Sequence, residues 1–229
     1  SATPASTDGI TNVGTIAVNN VQDIAVWQYR ITGGAWVAIP TVAGSTTASF
    51  SLPSDGLYAI GDIEFRQMDA ATSVASNIAS NANIIHLITS TSPASMELNG
   101  DTGSSVTDGI TNDNVMNVSS VESNATYEYS LDSGTTWNNG AGSSFTLTTD
   151  TTFAVGTIQI RKTDIANNLS SAVSNQSAIQ VLSTSPVTPT MTLNSDTGSS
   201  TTDFLTSDTT MNITGIATDN TWEYSLDGT

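Results

Sequence analysis

Short runs of alternating apolar and polar residues extend along most of the chain, and clusters of Gly, Asn, Asp and Ser separate them. In the middle of the sequence these runs read VMNVSSV, TYEYSL, SFTLT and TIQIRKT, at intervals of roughly 8 to 12 residues. Alternation with a period of two predicts strands that bury one face, and the clusters between them predict turns. The pattern therefore predicts an all-β protein.

Helical periodicity is absent over any useful length. The stretch ATSVASNIASNANI at 71–84 has spaced apolar residues, but its Ser and Asn content disfavours a helix. By contrast, EYSLDSGTTW at 128–137 is typical of a hairpin, because Asp132, Ser133 and Gly134 tolerate the positive φ of a tight connection.

The same phrases recur at a period of about 95 to 100 residues. DTGSSVTDGITNDNVMNV begins at Asp101 and returns as DTGSSTTDFLTSDTTMNI at Asp196, while GDIEFRQMDAA at Gly61 returns as GTIQIRKTDIA at Gly156. A fainter copy, STDGITNVGTIAV, begins at Ser6. The chain therefore contains three copies of one unit.

About seven short strands in about 95 residues fit an immunoglobulin-like β-sandwich, which can bury its own core. We therefore predict tandem sandwiches with incomplete first and last units. The first covers 1–93, is diverged and lacks the first strand. The second covers 94–186 and is complete, and 187–229 forms the N-terminal part of a third. These incomplete units lead us to expect that the chain is part of a longer repetitive polypeptide.

The charge excludes several functional classes. The chain has 21 acidic and 4 basic side chains, a formal net charge of −17, so nucleic acid and anionic lipid would both repel it. Direct membrane insertion is not expected, because no run approaches the roughly 20 apolar residues that a spanning helix needs. The absence of cysteine excludes disulfides and thiolate metal sites.

An enzyme is not expected either. His86 is the single histidine, and neither a Gly-x-Ser-x-Gly nor a His-Glu-x-x-His sequence is present to give it a catalytic partner. Its counterpart 95 residues later is Val181, so we interpret His86 as a strand residue.

The repeated aromatic and basic positions have structural interpretations. Trp27 and Trp222 occupy the same repeat position and are predicted to lie in sandwich cores. The basic side chains are predicted to fall into two kinds. Arg66 and Arg161 would pair with carboxylates or cover apolar surface with their stems, and Arg30 and Lys162 would be solvated strand charges.

The order of DTGSSVTDGITND, YEYSLDSGTTW, GTIQIRKTDIANN and a closing Pro-containing linker resembles the bacterial immunoglobulin-like repeats of giant secreted adhesins of the repeats-in-toxin, type I secreted kind. The resemblance is strong over Met96–Pro186 and Thr190–Thr229 and loose over the first 93 residues. It implies a non-catalytic extracellular spacer at the bacterial cell surface that serves adhesion and biofilm formation. Its partners would be adjacent repeats, with calcium stiffening the domain junctions.

The recurring aspartates predict Ca²⁺ independently, since this ion takes six to eight hard oxygen ligands from adaptable loops. We expect Asp101, Asp108 and Asp113 to face Asp164, Asn167 and Asn168 at one end of the second sandwich. The full candidate set is Asp8, Asp69, Asp101, Asp108, Asp113, Asp164, Asn167, Asp196, Asp203 and Asp208.

Turn formation is the alternative role for each of these residues, because Asp and Asn side chains commonly bond to nearby main chain. The metal prediction is weaker for the first repeat, where Val13 replaces Asp113 and Thr72 replaces Asn167.

A second function stays open. The chain would then be a subunit of a self-assembling extracellular filament or sheath, in which neighbouring copies complete the partial units by strand exchange.

Overall fold

A computed structural model of the chain describes residues 8–22, 25–42, 44–218 and 220–228. These residues form 21 strands and no helix, arranged in seven small sheets. The all-β prediction is confirmed, and the sheets are consistent with β-sandwiches. The immunoglobulin-like identity stays a prediction. The described residues contain no helix that could cross a membrane.

The first repeat contains nine strands. They are β1 (Ile10–Thr11), β2 (Thr15–Asn19), β3 (Ala25–Ile31), β4 (Val37–Ile39), β5 (Thr47–Ser51), β6 (Gly56–Tyr58), β7 (Ile63–Asp69), β8 (Ala79–Ser80) and β9 (Ile85–Leu87). They form sheets with the orders β2-β5, β4-β3-β7-β8 and β1-β9-β6.

The second repeat reproduces this topology and adds one strand at its start. Its strands are β10 (Ser95–Leu98), β11 (Ile110–Thr111), β12 (Val115–Ser119), β13 (Thr126–Ser130), β14 (Asn138–Asn139), β15 (Ser144–Thr146), β16 (Thr151–Phe153), β17 (Gln159–Thr163), β18 (Val173–Ser174) and β19 (Ile179–Val181). The sheet orders are β10-β12-β15, β14-β13-β17-β18 and β11-β19-β16. β10 has no counterpart among the described residues of the first repeat.

Each of the two repeats has its own apolar core, because alternate strand residues point inward. In the first, Trp27 is buried as predicted, and Tyr29 stacks on Phe50 with ring centroids 4.1 Å apart. In the second, the counterpart rings of Tyr129 and Phe145 stack at 4.3 Å. Phe50 and Phe145 are the buried members of these pairs, and burial of a phenylalanine side chain contributes about 1.5–3 kcal/mol.

Two glycines allow a close parallel strand pairing in each repeat. β1 pairs with β9 and β11 with β19, both in parallel. Gly9 and Gly109 lie just before β1 and β11 with φ of 76°, and a Cβ atom there would collide with the carbonyl of Ile84 or Ala178. Glycine is therefore required twice over, by conformation and by space.

The chain divides into two compact units, Ser1–Val181 and Leu182–Thr229. The first contains both cores. The predicted boundaries 1–93, 94–186 and 187–229 stay a prediction.

In the second unit, β20 (Thr190–Leu193) pairs with β21 (Met211–Thr214). The apolar side of this hairpin is open: Met211 is 41% exposed, whereas its counterpart Met116 is 2% exposed. Trp222 is 50% exposed, against 3% for its counterpart Tyr127. The prediction that Trp222 lies in a core is therefore wrong for this structure, because the described part of this unit lacks counterparts of the strands that cover Tyr127.

Candidate functional site

The loop between β10 and β12, residues 99–113, is closed by its own carboxylates. Asp101 Oδ2 accepts a hydrogen bond from Gly109 N at 2.9 Å, and Asp108 Oδ1 accepts one from Ile110 N at 3.0 Å. Thr111 Oγ1 donates to Gly100 O at 2.7 Å. These bonds hold the loop in one conformation, so the turn-forming role considered for the aspartates is present here.

A line of side-chain amides holds Asp113 at the end of this loop. Asn117 Nδ2 donates to Asn99 Oδ1 at 3.0 Å, and Asn99 Nδ2 donates to Asp113 Oδ2 at 2.7 Å. Asp113 Oδ1 accepts from Val115 N at 3.0 Å. Both oxygens of Asp113 therefore have protein partners.

The loop 194–208 of the third repeat repeats these bonds. Asp196 Oδ2 accepts from Phe204 N, Asp203 Oδ1 from Leu205 N, and Asp208 from Thr210 N and Asn194 Nδ2, at distances of 2.8–3.1 Å. The hydrogen bond from the Asn194 side chain is the main cause that lowers the pKa of Asp208, followed by the amide of Thr210. The second and third repeats thus share the geometry of this loop.

One carboxylate oxygen in each loop is buried without a hydrogen-bond partner among the described residues. These atoms are Asp101 Oδ1 and Asp196 Oδ1, which occupy the same repeat position. An unpaired buried carboxylate oxygen is costly, so a cation at this position would be favourable. These two oxygens fit calcium best among the predicted ligands.

In the first repeat, Asp8 and Asp69 serve turns. Asp8 Oδ1 accepts from Ile10 N at 2.9 Å. Asp69 Oδ1 accepts from Ala71 N, Thr72 N and Thr72 Oγ1 at 2.8–3.0 Å. The backbone amide of Thr72 is the main cause that lowers the pKa of Asp69.

Asp164 organises the turn after β17. Its Oδ1 accepts from Ala166 N and Asn168 N at 2.8 and 2.9 Å, and its Oδ2 accepts from Asn168 Nδ2 at 2.9 Å. Asn167 lies on this turn with φ of 67° and donates its backbone amide to Asp164 O. Asn168 forms more hydrogen bonds than Asn167.

The structure does not bring the two groups of predicted ligands together. Asp113 lies just before β12. Asp164 lies just after Thr163, the last residue of β17, and Thr163 pairs with Thr126, which begins β13 after the far end of β12. Five strand residues separate these ends by about 16 Å. The prediction that both loops meet at one end of the sandwich is therefore wrong, because sequence recurrence does not indicate which end of a strand a loop adjoins.

We call the end of a sandwich near Asp164 its proximal end, and the end near Asp113 its distal end. The proximal end of the second repeat lies against residues 88–92 of the segment that leaves the first. A cleft of about 280 Å³ there is lined by Glu122, Asp164 and the linker residues Ser90, Thr91 and Ser92. Across this junction, Asn168 Nδ2 donates to Ile88 O at 2.7 Å.

A buried lysine also lies at this end. Lys162 is 1% exposed, and its Nζ donates to Ser120 O at 2.8 Å and to both oxygens of Glu122 at 2.6 and 2.7 Å. The hydrogen bond from Lys162 is the main cause that lowers the pKa of Glu122. The prediction that Lys162 is a solvated charge is wrong. The alternation of Ile160 and Lys162 on one face of β17 is the signal that could have revealed its burial.

The arginines lie on tryptophans of the outer sheet faces. Arg161 pairs with Glu128 at 2.8 Å, which confirms its predicted carboxylate partner, and stacks on Trp137. Arg66 instead donates to Gln28 Oε1 at 3.0 Å and stacks on Trp36. Arg30, predicted to be solvated, forms an ion pair with Glu64 and also lies over Trp36.

Asp55 is a junction residue that the sequence reasoning missed. Its carboxylate accepts from Thr89 N at 2.9 Å and Thr89 Oγ1 at 2.8 Å, and the backbone amide of Thr89 is the main cause that lowers its pKa. Asp150 recurs 95 residues later, and this periodicity could have identified the position.

Within residues 8–22, 25–42, 44–218 and 220–228, no three Asp, Glu or His side chains form a group that could hold a metal ion. No family model and no curated protein matches the chain.

Proposed function

We propose that the chain is a non-catalytic structural spacer of a long extracellular bacterial adhesin, built from tandem immunoglobulin-like domains that calcium stiffens at their junctions. The observation that carries this proposal is the repetition of one β topology, strand for strand, in the first two repeats. The same unit repeated in tandem supplies length, which is what a spacer at the cell surface requires. The resemblance of these repeats to adhesin extender modules also supports it.

The case for calcium rests on the loops 99–113 and 194–208. Each offers one buried carboxylate oxygen without a hydrogen-bond partner among the described residues, on Asp101 and Asp196. Calcium would supply the positive charge that these oxygens lack, and backbone carbonyls and water would complete its shell. The net charge of −17 also favours binding of divalent cations.

The proposed extracellular location rests on the calcium affinity expected of such a site. Extracellular modules of this kind bind Ca²⁺ with dissociation constants of about 10⁻⁴ to 10⁻³ M, so the millimolar calcium outside a cell fills them. The partners under this proposal are adjacent repeats of the same polypeptide.

Small-angle scattering and thermal unfolding with calcium and with a chelator test the proposal. We expect chelation to shorten the maximum dimension and to lower the Tm of the full chain. The Asp101→Asn/Asp196→Asn double variant should show much smaller changes, because it lacks both unpaired carboxylate charges. If chelation changes neither the maximum dimension nor the Tm of the wild-type chain, calcium does not stiffen the protein.

The open hairpin of the third repeat favours a second candidate. Met191, Met211 and Trp222 expose apolar surface whose counterparts pack on or within the core of the second repeat. Strands of a neighbouring copy would cover this face, giving a self-assembling extracellular filament or sheath completed by strand exchange.

Multi-angle light scattering over a range of protein concentrations tests the second candidate. Strand exchange predicts a mass that increases with concentration, and a Met211→Ser variant should reduce this increase because it removes apolar surface from the exchanged face. A concentration-independent monomer would contradict this function and leave the spacer as the remaining proposal.

A further inference from the structure

We propose that the turn Asp164–Asn168 is a docking site for the end of the last strand of a preceding repeat, recognised through a main-chain carbonyl. We call this turn the docking turn. The contact requires no metal ion, so it goes beyond the calcium-stiffened spacer, although the spacer role gives it a purpose.

The docking turn holds the amide of Asn168 in one orientation. A side-chain amide has two N–H donors. One Asn168 Nδ2–H donates to Asp164 Oδ2 at 2.9 Å, and Nδ2 also donates to Ile88 O at 2.7 Å. Asp164 Oδ1 accepts the main-chain amides of Ala166 and Asn168. The donor aimed at the first repeat is thus positioned before docking.

The acceptor in the first repeat, the carbonyl of Ile88, is also held in a fixed position. Ile88 N donates to Thr11 O at 2.9 Å, which extends the parallel pairing of β1 and β9 by one residue. On either side, Leu87 is buried in the core and Thr89 is held by Asp55 through two hydrogen bonds. The carbonyl of Ile88 therefore has a fixed direction, and its N–H is already paired.

Neighbouring groups support the same end of the second repeat. The ammonium of Lys162 ties Ser120 O, on the turn after β12, to Glu122. The linker residues Ser90, Thr91 and Ser92 lie along the cleft that Glu122 and Asp164 line. The junction is thus a polar contact between two preorganised surfaces.

The first repeat lacks the donor that this docking needs. In the second repeat Asp164 N donates to Asn168 O, and in the first the corresponding bond runs from Asp69 N to Val74 O. Val74 therefore stands where Asn168 stands and has no side-chain donor. A backbone carbonyl is present whatever the side chain, so any repeat whose last strand ends in the same way as β9 can supply the acceptor. The presence of Asn at the position of Asn168 then determines which repeats can dock.

Spin-label distance measurements test the dock in the full chain. The protein has no cysteine, so Ser49→Cys and Ser144→Cys, at equivalent exposed strand positions, would supply the only two thiols. With the dock intact, the distance between them should give a narrow peak in calcium and in chelator. Asn168→Ala removes the donor and should raise the undocked population by roughly three- to tenfold, the effect of one ordinary hydrogen bond.

Asn168→Asp is the second variant, because it keeps the shape but replaces the donor with an acceptor that faces both Ile88 O and Asp164. It should raise the undocked population further than Asn168→Ala does. Asn117→Ala is the matched control, since it removes one side-chain amide bond at the distal end and should keep the peak. Far-UV circular dichroism verifies that each variant is folded.

An undocked population that stays at the wild-type level in both folded Asn168 variants would overturn the proposed docking contact. A wild-type peak that chelation abolishes would also overturn it, because the junction would then depend on a metal, and that result would support the calcium-stiffened spacer. A wild-type peak that survives chelation, together with an undocked population that rises in both Asn168 variants, supports the docking contact whether or not calcium binds elsewhere.

Discussion

Asp113 and Asp164 lie toward opposite ends of the second sandwich, because Asp113 precedes β12 whereas Asp164 follows Thr163, whose partner Thr126 begins β13 after the far end of β12. The aspartate-rich loops of one repeat therefore have separate roles. The distal loop offers an unpaired carboxylate oxygen on Asp101, and the proximal turn uses its carboxylate to orient Asn168. The second repeat thus carries a candidate cation site at one end and a hydrogen-bond donor for its predecessor at the other.

Asp101→Asn should have opposite effects on Tm with and without calcium. In chelator the variant should be as stable as the wild type or more stable, because it removes a charge whose Oδ1 is buried and unpaired. In millimolar calcium it should be less stable, because it has lost a ligand. Thermal unfolding with calcium and with chelator gives the sign of the change in Tm. Isothermal titration calorimetry with calcium should show one binding site fewer in the variant.

Asp132→Asn is the control for calcium binding, because Asp132 bonds within its own hairpin to Thr136 and Ser130. It should keep the wild-type calcium stoichiometry. An Asp101→Asn protein that retains that stoichiometry would remove Asp101 from the ligand set.

Local pattern predicted the strands, because burying one face of a strand imposes a period of two. Met116 and Val118 in β12 show that period in their burial, as do Ile160 and Lys162 in β17. The residue type of Lys162 predicts a solvated charge, although the alternation of β17 places it inward. The paired burial of an ammonium overrode the usual preference of lysine for water.

Positions in three dimensions were harder to predict. The spacing of Asp113 and Asp164 in sequence does not reveal which end of a strand each adjoins, since that depends on how many strands intervene and in which direction they run. The partner of Arg66 depended on one cross-strand residue, Gln28, where the second repeat has Glu128. The hydrogen bond between Asn168 and Ile88 joins residues 80 positions apart and has no periodic signature.

Glu122→Ala should destabilise the second repeat more than Lys162→Met. Removing Glu122 leaves the buried ammonium of Lys162 with Ser120 O as its remaining partner, which should cost roughly 1–3 kcal/mol. Met fills the space of the lysine stem without a buried charge, and such replacements are often close to neutral. Urea unfolding of the two variants gives the comparison. Equal losses would mean that the ammonium does not depend on Glu122.

Gly109→Ala should destabilise the protein by roughly 2–5 kcal/mol, from left-handed backbone strain together with overlap between the new methyl group and Ala178 O. Gly142→Ala separates the two causes, because Gly142 has φ of 69° and open space around its Cβ position. It should cost about 1–2 kcal/mol from strain alone. Chemical denaturation of both variants measures the difference, and similar losses would show that the close approach of Gly109 to Ala178 contributes little.

Asp132 should make the protein lose stability in acid, through a window that its pKa defines. Hydrogen bonds from the side chain and amide of Thr136, then from Ser130, lower its pKa to about 2. A carboxyl whose pKa is lower in the folded than in the unfolded chain stabilises the folded state fully above its unfolded pKa of about 4, and loses this contribution as pH falls through the folded value.

Acid also relieves the repulsion within a chain of net charge −17, an effect of opposite sign. The comparison must therefore be between wild type and Asp132→Asn, in which the general charge effect nearly cancels. The difference in Tm between them should be constant above about pH 5 and should shrink between about pH 4 and 2. Carboxyl carbon chemical shifts give the pKa of Asp132 directly, and a value near 4 in the folded protein would contradict the hydrogen-bonded hairpin on which this prediction rests.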